Sequence, residues 1–231
     1  ILPSFLKDLE TAIEWHYKGV FTHLSKERWI MRSRFAQIDK IISSLYEILD
    51  IKEESPQIQN KKMRIRDFMD NLGDSPFIDA LVLELRDPFL DYNTLVRKQI
   101  IRFGRGCLKR LLSKILESRD FSWEGYLYRK KIAGLLQDMG KEEKEEFKNH
   151  LAKEESPQKL RQLIEISGFL TSEDLVPILK PFVDSKDYEI REATVFALAN
   201  IHNPQAKQII LNMTKDKDSR IARLAKRQSK A

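Results

Sequence analysis

The sequence predicts an all-α protein, an α-solenoid of about five to six stacked helix pairs that begins with a helical cap. One observation is a repeat: an apolar residue followed by arginine recurs every 30 to 32 residues, at Ile65-Arg66, Val96-Arg97, Tyr128-Arg129, Leu160-Arg161 and Ile190-Arg191. Eight residues after the apolar position there is always a small or apolar residue, namely Gly73, Gly104, Leu136, Gly168 and Leu198. Repeats of this length indicate helix pairs that bury their apolar faces against their neighbours. Alternating β-branched runs are absent, so we expect almost no strand.

The first sixty residues are less regular than the rest. We expect two longer helices there, over residues 5–24 and 25–51, each apolar on one face. Large rings concentrate in this segment, at Trp15, Tyr17, Phe21, Trp29 and Phe35. Such rings suit a cap over the end of a stacked core, and a specialised binding surface is the alternative. We therefore divide the chain into a cap with the first repeat, residues 1–60, and a repeat solenoid, residues 61–231.

The middle repeats follow the same plan with looser sequence. Asn93 caps a helix that ends at Gly104, and residues 106–118 form an amphipathic helix with Cys107 in its apolar stripe. The next helix covers residues 122–139, and Gly140 is its expected C-cap.

A highly charged helix is predicted over residues 141–153, with only Phe147 and Leu151 to bury. The hexapeptide Lys-Glu-Glu-Ser-Pro-Gln occurs at residues 52–57 and again at 153–158. Both copies predict the end of one helix, then a cap and a new helix, so we interpret them as the same joint used twice.

The last repeats are the clearest. An apolar helical run follows the cap at Ser172, and Pro181 should kink or end it because proline lacks the backbone donor. Asp187 caps the partner helix, and Pro204 takes the first position of the next one. The small side chain of Ala197 should let neighbouring helices approach closely.

Segments 93–104, 126–140 and 187–201 resemble the second helix of HEAT repeats, particularly the short PBS-lyase-like type. The resemblance is good for residues 172–228, fair for 75–170 and weak before residue 60. It implies a right-handed α-solenoid whose concave face binds another macromolecule, without identifying the ligand.

The resemblance also implies a ladder in which an acidic residue before the second helix pairs with the arginine inside it. The matching pairs are Asp91 with Arg97, Glu155 with Arg161, and Asp184 or Asp187 with Arg191. Arg129 departs from this pattern, because Trp123 stands at the acidic position and leaves Asp120 or Glu124 as substitutes. We interpret the arginines as mainly structural, buried at helix junctions where they satisfy carbonyls and a carboxylate.

Composition excludes several classes of protein. With 42% apolar and 33% charged residues the chain is not disordered, and its one cysteine cannot form an internal disulfide. No apolar run reaches the length of a membrane-spanning helix. We expect a cytoplasmic protein, with membrane association through a segment absent from this chain as the alternative. Because the chain starts at Ile1 rather than Met, removal of an upstream signal, anchor or domain stays open.

Catalytic motifs are scarce, so we expect no enzyme activity, no cofactor, no metal and no small-molecule substrate. Phosphate-binding glycine motifs and the H-E-x-x-H zinc motif are absent. His16 and His23 share a helix face but have no cysteine or carboxylate at ligand spacing, which makes a metal site weak. Cys107 favours a buried thiol over a nucleophile.

Charge is the most informative functional feature. Residues 94–131 contain 11 lysines and arginines against 3 acids, and residues 215–231 contain 7 against 2. The predicted partner-binding basic face consists of Lys98, Arg102, Arg105, Lys109, Arg110, Lys114, Lys130 and Lys131. If these side chains line one side of the solenoid, they form a continuous positive band that attracts an acidic protein, nucleic acid or anionic lipid. Solvent-exposed helix faces without a ligand are the alternative.

Three functions follow from these patterns. The first is a non-catalytic protein–protein interaction scaffold or adaptor, within a larger or membrane-associated assembly, whose partner has an acidic surface. The second is a nucleic-acid-binding protein resembling the HEAT-like DNA alkylation-repair glycosylases, for which Trp123 beside Asp120 and Glu124 is the local cluster. The third, binding of a cofactor-bearing protein, rests on the resemblance to PBS-lyase-type enzymes alone.

Overall fold

A computed structural model of the chain describes residues 40–73, 78–79, 81–82, 85, 90–117 and 121–230. All regular elements in these ranges are helical, and none of them is a strand. The all-α prediction is therefore confirmed. Residues 1–39 lie outside the described residues, and with them the predicted helix over 5–24, the aromatic cap residues, His16 and His23.

The described chain is a succession of short helices. Helical residues 40–49 precede α1 (Pro56–Gly73), α2 (Leu90–Phe103), α3 (Arg105–Glu117), α4 (Trp123–Asp138), α5 (Lys141–Lys153), α6 (Pro157–Leu170), α7 (Val176–Leu179), α8 (Tyr188–Asn200), α9 (Pro204–Met213) and α10 (Ser219–Gln228). Two 3-10 segments, Glu173–Leu175 and Lys180–Asp184, flank α7.

The chain forms two compact units, Ile1–Lys114 and Ile115–Ala231. The core of the first unit contains Ile42, Ile65, Ile100 and Leu108, all without exposed surface. In the second unit, Phe147 and Leu151 are the buried residues of the charged helix α5, as predicted.

Helices in the second unit pack in the order that a solenoid requires. Helix α4 packs against α6, α6 against α8, and α8 against α10, so the second helices of successive pairs contact one another. Helix α9 fits between them as the first helix of its pair, in contact with α8 and α10. The HEAT-like stacking of helix pairs is thereby confirmed in this unit. The number of repeats, the hand of the solenoid, the N-terminal cap and the boundary at residue 60 stay predictions.

Capping residues begin the helices of the second unit where the sequence predicts them. The side chain of Asp187 accepts a hydrogen bond from the backbone N–H of Glu189 at 2.8 Å, at the N-terminus of α8. Asn203 accepts from the N–H of Gln205 at 2.8 Å, directly before Pro204. These acceptors satisfy backbone donors that the first helical turn leaves without an intrahelical partner.

Proline and glycine set the remaining boundaries. The α-helical run after Ser172 ends at Leu179 and continues as the 3-10 segment that contains Pro181, which confirms the predicted break. Gly140 has a role different from the one predicted. Met139 is the C-cap of α4, and Gly140 is the N-cap of α5 with φ −70°, because α5 follows with no intervening loop.

Both copies of the repeated hexapeptide form the predicted joint. Helical residues 40–49 give way to an extended stretch before α1 begins at Pro56. Helix α5 ends at Lys153, and α6 begins in the same manner at Pro157. Proline suits these positions because the first helical residue needs no N–H donor.

Helices α6 and α8 approach each other at Gly168. A Cβ atom built on Gly168 would lie 2.8 Å from the Cα and 3.2 Å from the Cβ of Ala197. The two small residues therefore allow backbone contact between neighbouring second helices, which confirms the role predicted for Ala197.

Candidate interaction surface

A buried arginine connects the last two helix pairs. Arg191 in α8 is 3% exposed, and its Nε donates to Oδ2 of Asp216 at 3.0 Å. Its Nη1 donates to the backbone carbonyls of Ser185 and Lys186 at 2.7 and 3.3 Å. The guanidinium thus satisfies a carboxylate and two carbonyls at a helix junction, as expected for a structural arginine.

The two preceding arginines repeat this connection. Arg129 in α4 is 4% exposed, and its Nε donates to Oε2 of Glu165 in α6 at 2.6 Å. Arg161 in α6 donates from Nη1 to Oε2 of Glu189 in α8 at 2.6 Å, and from Nε to Oε1 of Glu165 at 3.3 Å. Each of these three repeat arginines therefore bonds to an acid in the next helix pair.

The acidic partners differ from those that the resemblance implied. Within residues 121–230, the ion pairs of Arg161 involve Glu165 and Glu189 rather than Glu155. Arg191 pairs with Asp216, while Asp187 accepts a hydrogen bond from the first turn of its own helix. Because a carboxylate at an N-cap accepts a hydrogen bond from the first turn of its own helix, the arginine pairs with an acid of the neighbouring helix pair.

The ladder in the first unit is only partly described. Arg97 is half-buried in α2, and the side chain of its predicted partner Asp91 lies outside the described residues. A partly buried ion pair joins other residues of this unit: Arg110 donates from Nε to Oδ1 of Asp79 at 2.7 Å and from Nη2 to Oδ2 at 2.8 Å. This bidentate geometry makes Arg110 a structural residue as well.

The predicted basic face divides into exposed and internally bonded side chains in the first unit. Lys98 and Lys109 are exposed on α2 and α3. Arg102 is half-buried, because Nη1 donates to Oγ of Ser43 at 2.9 Å and its guanidinium lies 5.6 Å from the ring centroid of Tyr46. Arg102 and Arg110 are therefore engaged in contacts within the unit, and Lys98 and Lys109 are the exposed members of the face.

The second unit contributes Lys130 and Lys131, both on α4. Lys130 is exposed and Lys131 is half-buried. The side chains of Arg105 and Lys114 lie outside the described residues. Because the basic residues belong to two separate compact units, the continuous positive band stays a prediction.

Helix α4 exposes a row of apolar side chains that sequence reasoning treated only in part. Trp123 is 67% exposed, and Tyr126 and Leu127 are each 37% exposed. The rings of Trp123 and Tyr126 stack with centroids 5.1 Å apart and planes at 12°. With Lys130 these residues stand at positions i, i+3, i+4 and i+7, so they share one side of the helix. We call these four residues the α4 aromatic face.

Side chains of α6 contact the aromatic rings on and beside α4. Tyr126 meets Phe169 of α6 edge-to-face, with ring centroids 5.0 Å apart. Phe121, which is 39% exposed, lies beneath the guanidinium of Arg161 at 4.3 Å from its ring centroid. Stacked and cation–π contacts of this kind hold exposed rings in fixed positions.

The cluster proposed for a glycosylase-like site is only partly described. Glu124 is exposed beside Trp123, whereas Asp120 lies outside the described residues. Arg129, the nearby cation, is buried and bonded to Glu165. The described residues around Trp123 therefore form an aromatic face and do not assemble an acid with a free cation.

Ionisable groups with displaced pKa values are structural in this protein. Burial raises the pKa of the Tyr46 phenol, whose O–H donates to the carbonyl of Arg102. Although partial desolvation opposes it, hydrogen bonding to Asp174 and Glu145 raises the pKa of Lys148, and that of Asp174 falls. These contacts tie α5 to the segment before α7.

Side chains that could bind a metal ion are scattered among the described residues. No group of three or more histidine, cysteine, aspartate or glutamate residues is placed to hold a metal ion there. Cys107 is fully buried, as predicted. Within the same ranges, every helix is too short or too polar to cross a bilayer.

Comparison with known proteins supports the repeat assignment. A family model described as HEAT repeats matches residues 145–229, which confirms the HEAT resemblance for that part of the chain. Two solved structures, each 12% identical, are similar over 82% of this chain and 98% of their own. One is a computationally designed armadillo repeat protein for modular peptide recognition, with a TM-score of 0.32; the other is a designed armadillo repeat protein in complex with the peptide (KR)4, with a TM-score of 0.37. No curated protein matches the sequence.

Proposed function

We propose that this chain is a non-catalytic scaffold that binds another protein through the α4 aromatic face. The observation that carries the proposal is the exposure of Trp123, Tyr126 and Leu127 on one side of α4, with Lys130 one turn further on. Contiguous exposed apolar side chains mark interaction sites on folded proteins. Tryptophan and tyrosine are also the residue types that most often dominate the energy of a protein interface.

Preorganisation strengthens this assignment. Because Trp123 stacks on Tyr126, and Tyr126 in turn contacts Phe169, the two exposed rings lose little conformational freedom when a partner covers them. A partner with an apolar pocket of matching width would bury both rings at once. The rings thus supply an anchor, which a charged surface alone lacks.

The charge of the surface favours an acidic partner. Lys130 lies at the end of the α4 aromatic face, and Lys98 and Lys109 are the exposed members of the basic face in the first unit. Acidic groups around the apolar pocket of the partner would be attracted by Lys130 and would orient the encounter. Arg102 and Arg110 are left out of the contact surface, since both are bonded inside their unit.

Other parts of the proposal follow from the sequence. We infer a cytoplasmic protein that acts without cofactor or small-molecule substrate, in agreement with a single buried cysteine. Membership of a larger or membrane-associated assembly belongs to the same proposal.

Affinity capture with matched variants tests the proposal. The intact chain and the double variant Trp123→Ala with Lys130→Glu are each used to capture proteins from the native cell, and the recovered proteins are compared by mass spectrometry. We expect one or more proteins that the double variant loses by at least about tenfold, because truncation of an interface hot spot costs on the order of 2 kcal/mol.

A control variant separates this surface from the rest. Leu211→Ala with Lys207→Glu removes one apolar residue exposed by 42% and reverses one exposed lysine, both on α9, which contacts α8 and α10. This variant should recover the same proteins as the unchanged chain. Equal recovery by both double variants would contradict the proposal. Recovery of nucleic acid, lost on Trp123→Ala, would favour the alternative nucleic-acid function instead.

A further inference from the structure

Helix α10 separates apolar from cationic side chains more sharply than the other helices of its unit. Ile221 and Ala225 are buried, with 1% and 0% exposure, where α10 contacts α8 and α9. Four exposed cations occupy positions i, i+3, i+4 and i+7 on another side: Arg223, Lys226, Arg227 and, just after the helix, Lys230. We call these four residues the α10 cationic face.

The two nearby carboxylates are already engaged. Asp216 accepts hydrogen bonds from the buried Arg191. Asp218 accepts from Nη2 of Arg220 at 2.7 Å and also caps α10. Within residues 121–230, no carboxylate forms an ion pair with the four cations of the α10 cationic face. Their charge is therefore available to an anion outside the chain.

The side chains of this face distinguish among three anionic ligands: nucleic acid, an acidic protein and a membrane. Single-stranded nucleic acid stacks its bases on aromatic rings, whereas α10 contains no aromatic residue and the neighbouring ring of Tyr188 already carries the guanidinium of Arg220 on its face, 4.2 Å from the ring centroid. An acidic protein would need an exposed apolar anchor for its affinity, but in α10 Ile221 and Ala225 are buried and Ala222 and Leu224 are half-buried. A membrane surface requires neither an aromatic ring nor an exposed apolar anchor, since clusters of four to eight lysines and arginines on a helix attract anionic headgroups by charge alone.

We propose that the α10 cationic face docks the protein on an anionic membrane surface, with α10 lying along the headgroups. Because Ile221 and Ala225 pack inside the unit, the contact is electrostatic and no part of α10 inserts among the acyl chains. This inference is independent of the proposed protein-binding function, since none of its residues belongs to the α4 aromatic face.

Vesicle sedimentation of the full chain tests this inference. Vesicles of phosphatidylcholine, with and without phosphatidylserine, are the probes. We expect binding only when phosphatidylserine is present, and a steep loss of binding as salt is raised. Simultaneous Arg223→Gln, Lys226→Gln, Arg227→Gln and Lys230→Gln should lower the partition coefficient about a hundredfold, since each cation near such a surface contributes several-fold.

A second quadruple variant controls for net charge. Lys141→Gln, Lys144→Gln, Lys159→Gln and Lys180→Gln remove the same charge from exposed positions in the same unit. This variant should bind vesicles within a few-fold of the unchanged chain. Equal loss in both quadruple variants, or equal binding to both vesicle types, would overturn the inference. Binding of a duplex oligonucleotide that is lost only in the α10 variant, without vesicle binding, would also overturn it in favour of nucleic acid.

Circular dichroism distinguishes a loss of folding from a loss of membrane binding. Should the α10 quadruple variant lose helical signal in circular dichroism, the double variant Arg227→Gln with Lys230→Gln replaces it, with an expected loss of about tenfold. The variant Trp123→Ala should bind phosphatidylserine vesicles as the unchanged chain does. A lack of vesicle binding would therefore leave the protein-binding proposal intact, and a lack of a protein partner would leave the membrane inference intact.

Discussion

Arg191 of α8 donates a hydrogen bond to Asp216, 3.0 Å away, although Asp216 follows α9 and belongs to the next helix pair. The side chain of Arg191 is buried and that of Asp216 nearly so, at 4% and 9% side-chain exposure. The equivalent contacts of Arg129 with Glu165 and of Arg161 with Glu189 repeat this direction. In this unit, then, the arginine repeat joins each helix pair to the following one.

Removal of Asp216 should be strongly destabilising. Asp216→Ala leaves the guanidinium of Arg191 buried without its carboxylate, and breaking a buried ion pair in this way costs about 3–5 kcal/mol. Urea denaturation followed by circular dichroism measures the change in the free energy of unfolding.

The matched control is Asp184→Ala, at the exposed acid that sequence resemblance offered as a partner of Arg191. Its effect should stay within about 0.5 kcal/mol, as for an ordinary surface substitution. A larger loss from Asp184→Ala than from Asp216→Ala would refute the connection between helix pairs.

The exposed pair Arg161 and Glu189 should contribute much less. Their side chains are 23% and 45% exposed, so water screens the attraction. A double-mutant cycle with Arg161→Ala and Glu189→Ala should give a coupling energy below about 1 kcal/mol. A coupling energy as large as the effect of Asp216→Ala would show that burial does not determine which of these ion pairs contributes more to stability.

Enlargement of Gly168 should separate α6 from α8. Gly168→Ala places a methyl group 2.8 Å from the backbone of Ala197, and such overpacking costs about 1–3 kcal/mol. Gly140→Ala is the control, because the new methyl group meets only the flexible end of Glu143. Urea denaturation should rank Gly168→Ala as the more destabilising substitution; the opposite order would contradict the close approach.

Lowering the pH should weaken the capping interactions at the N-terminus of α10. Hydrogen bonds from the side chain and backbone N–H of Arg220 hold the pKa of the Asp218 carboxyl well below its usual 3.8. The unfolded chain therefore binds this proton more readily, so the contribution of the ionised carboxylate is complete above the usual pKa and is lost as the pH falls below it.

Asp218→Asn retains an oxygen that can cap the helix but removes the charge. The difference in melting temperature between the unchanged chain and this variant should shrink as the pH is lowered from about 6 to about 3. A difference that stays constant over this range would contradict the role assigned to the charge.

Local features of the fold were predictable from sequence, and contacts between repeats were less so. The break at Pro181 and the cap at Asp187 depend on a few neighbouring residues, and both were predicted correctly. The partner of Arg191 lies 25 residues away, and several acids stand nearer to it in sequence. Only the packing of one helix pair on the next selects Asp216.

The candidate surface was predictable in composition and less so in geometry. Local charge predicted both Lys130 and Arg110 as contact residues, but could not reveal that Lys130 is exposed whereas Arg110 turns inward to Asp79. Trp123 was noted as a departure from the repeat. The i, i+3, i+4, i+7 spacing of Trp123, Tyr126, Leu127 and Lys130 was visible in sequence, whereas the exposure of this side of α4 required the packing of its neighbours.

Site-specific photocrosslinking tests the protein-binding proposal most directly. Tyr126 and Tyr188 occupy equivalent repeat positions, three residues before Arg129 and Arg191, and are exposed by 37% and 40%. A photoreactive phenylalanine analogue replaces each tyrosine in turn, and the chain is irradiated in the native cell. We expect a crosslink to another protein from position 126 and none from position 188. Crosslinks from position 126 only to nucleic acid or to this same chain, or none at all, would contradict the account.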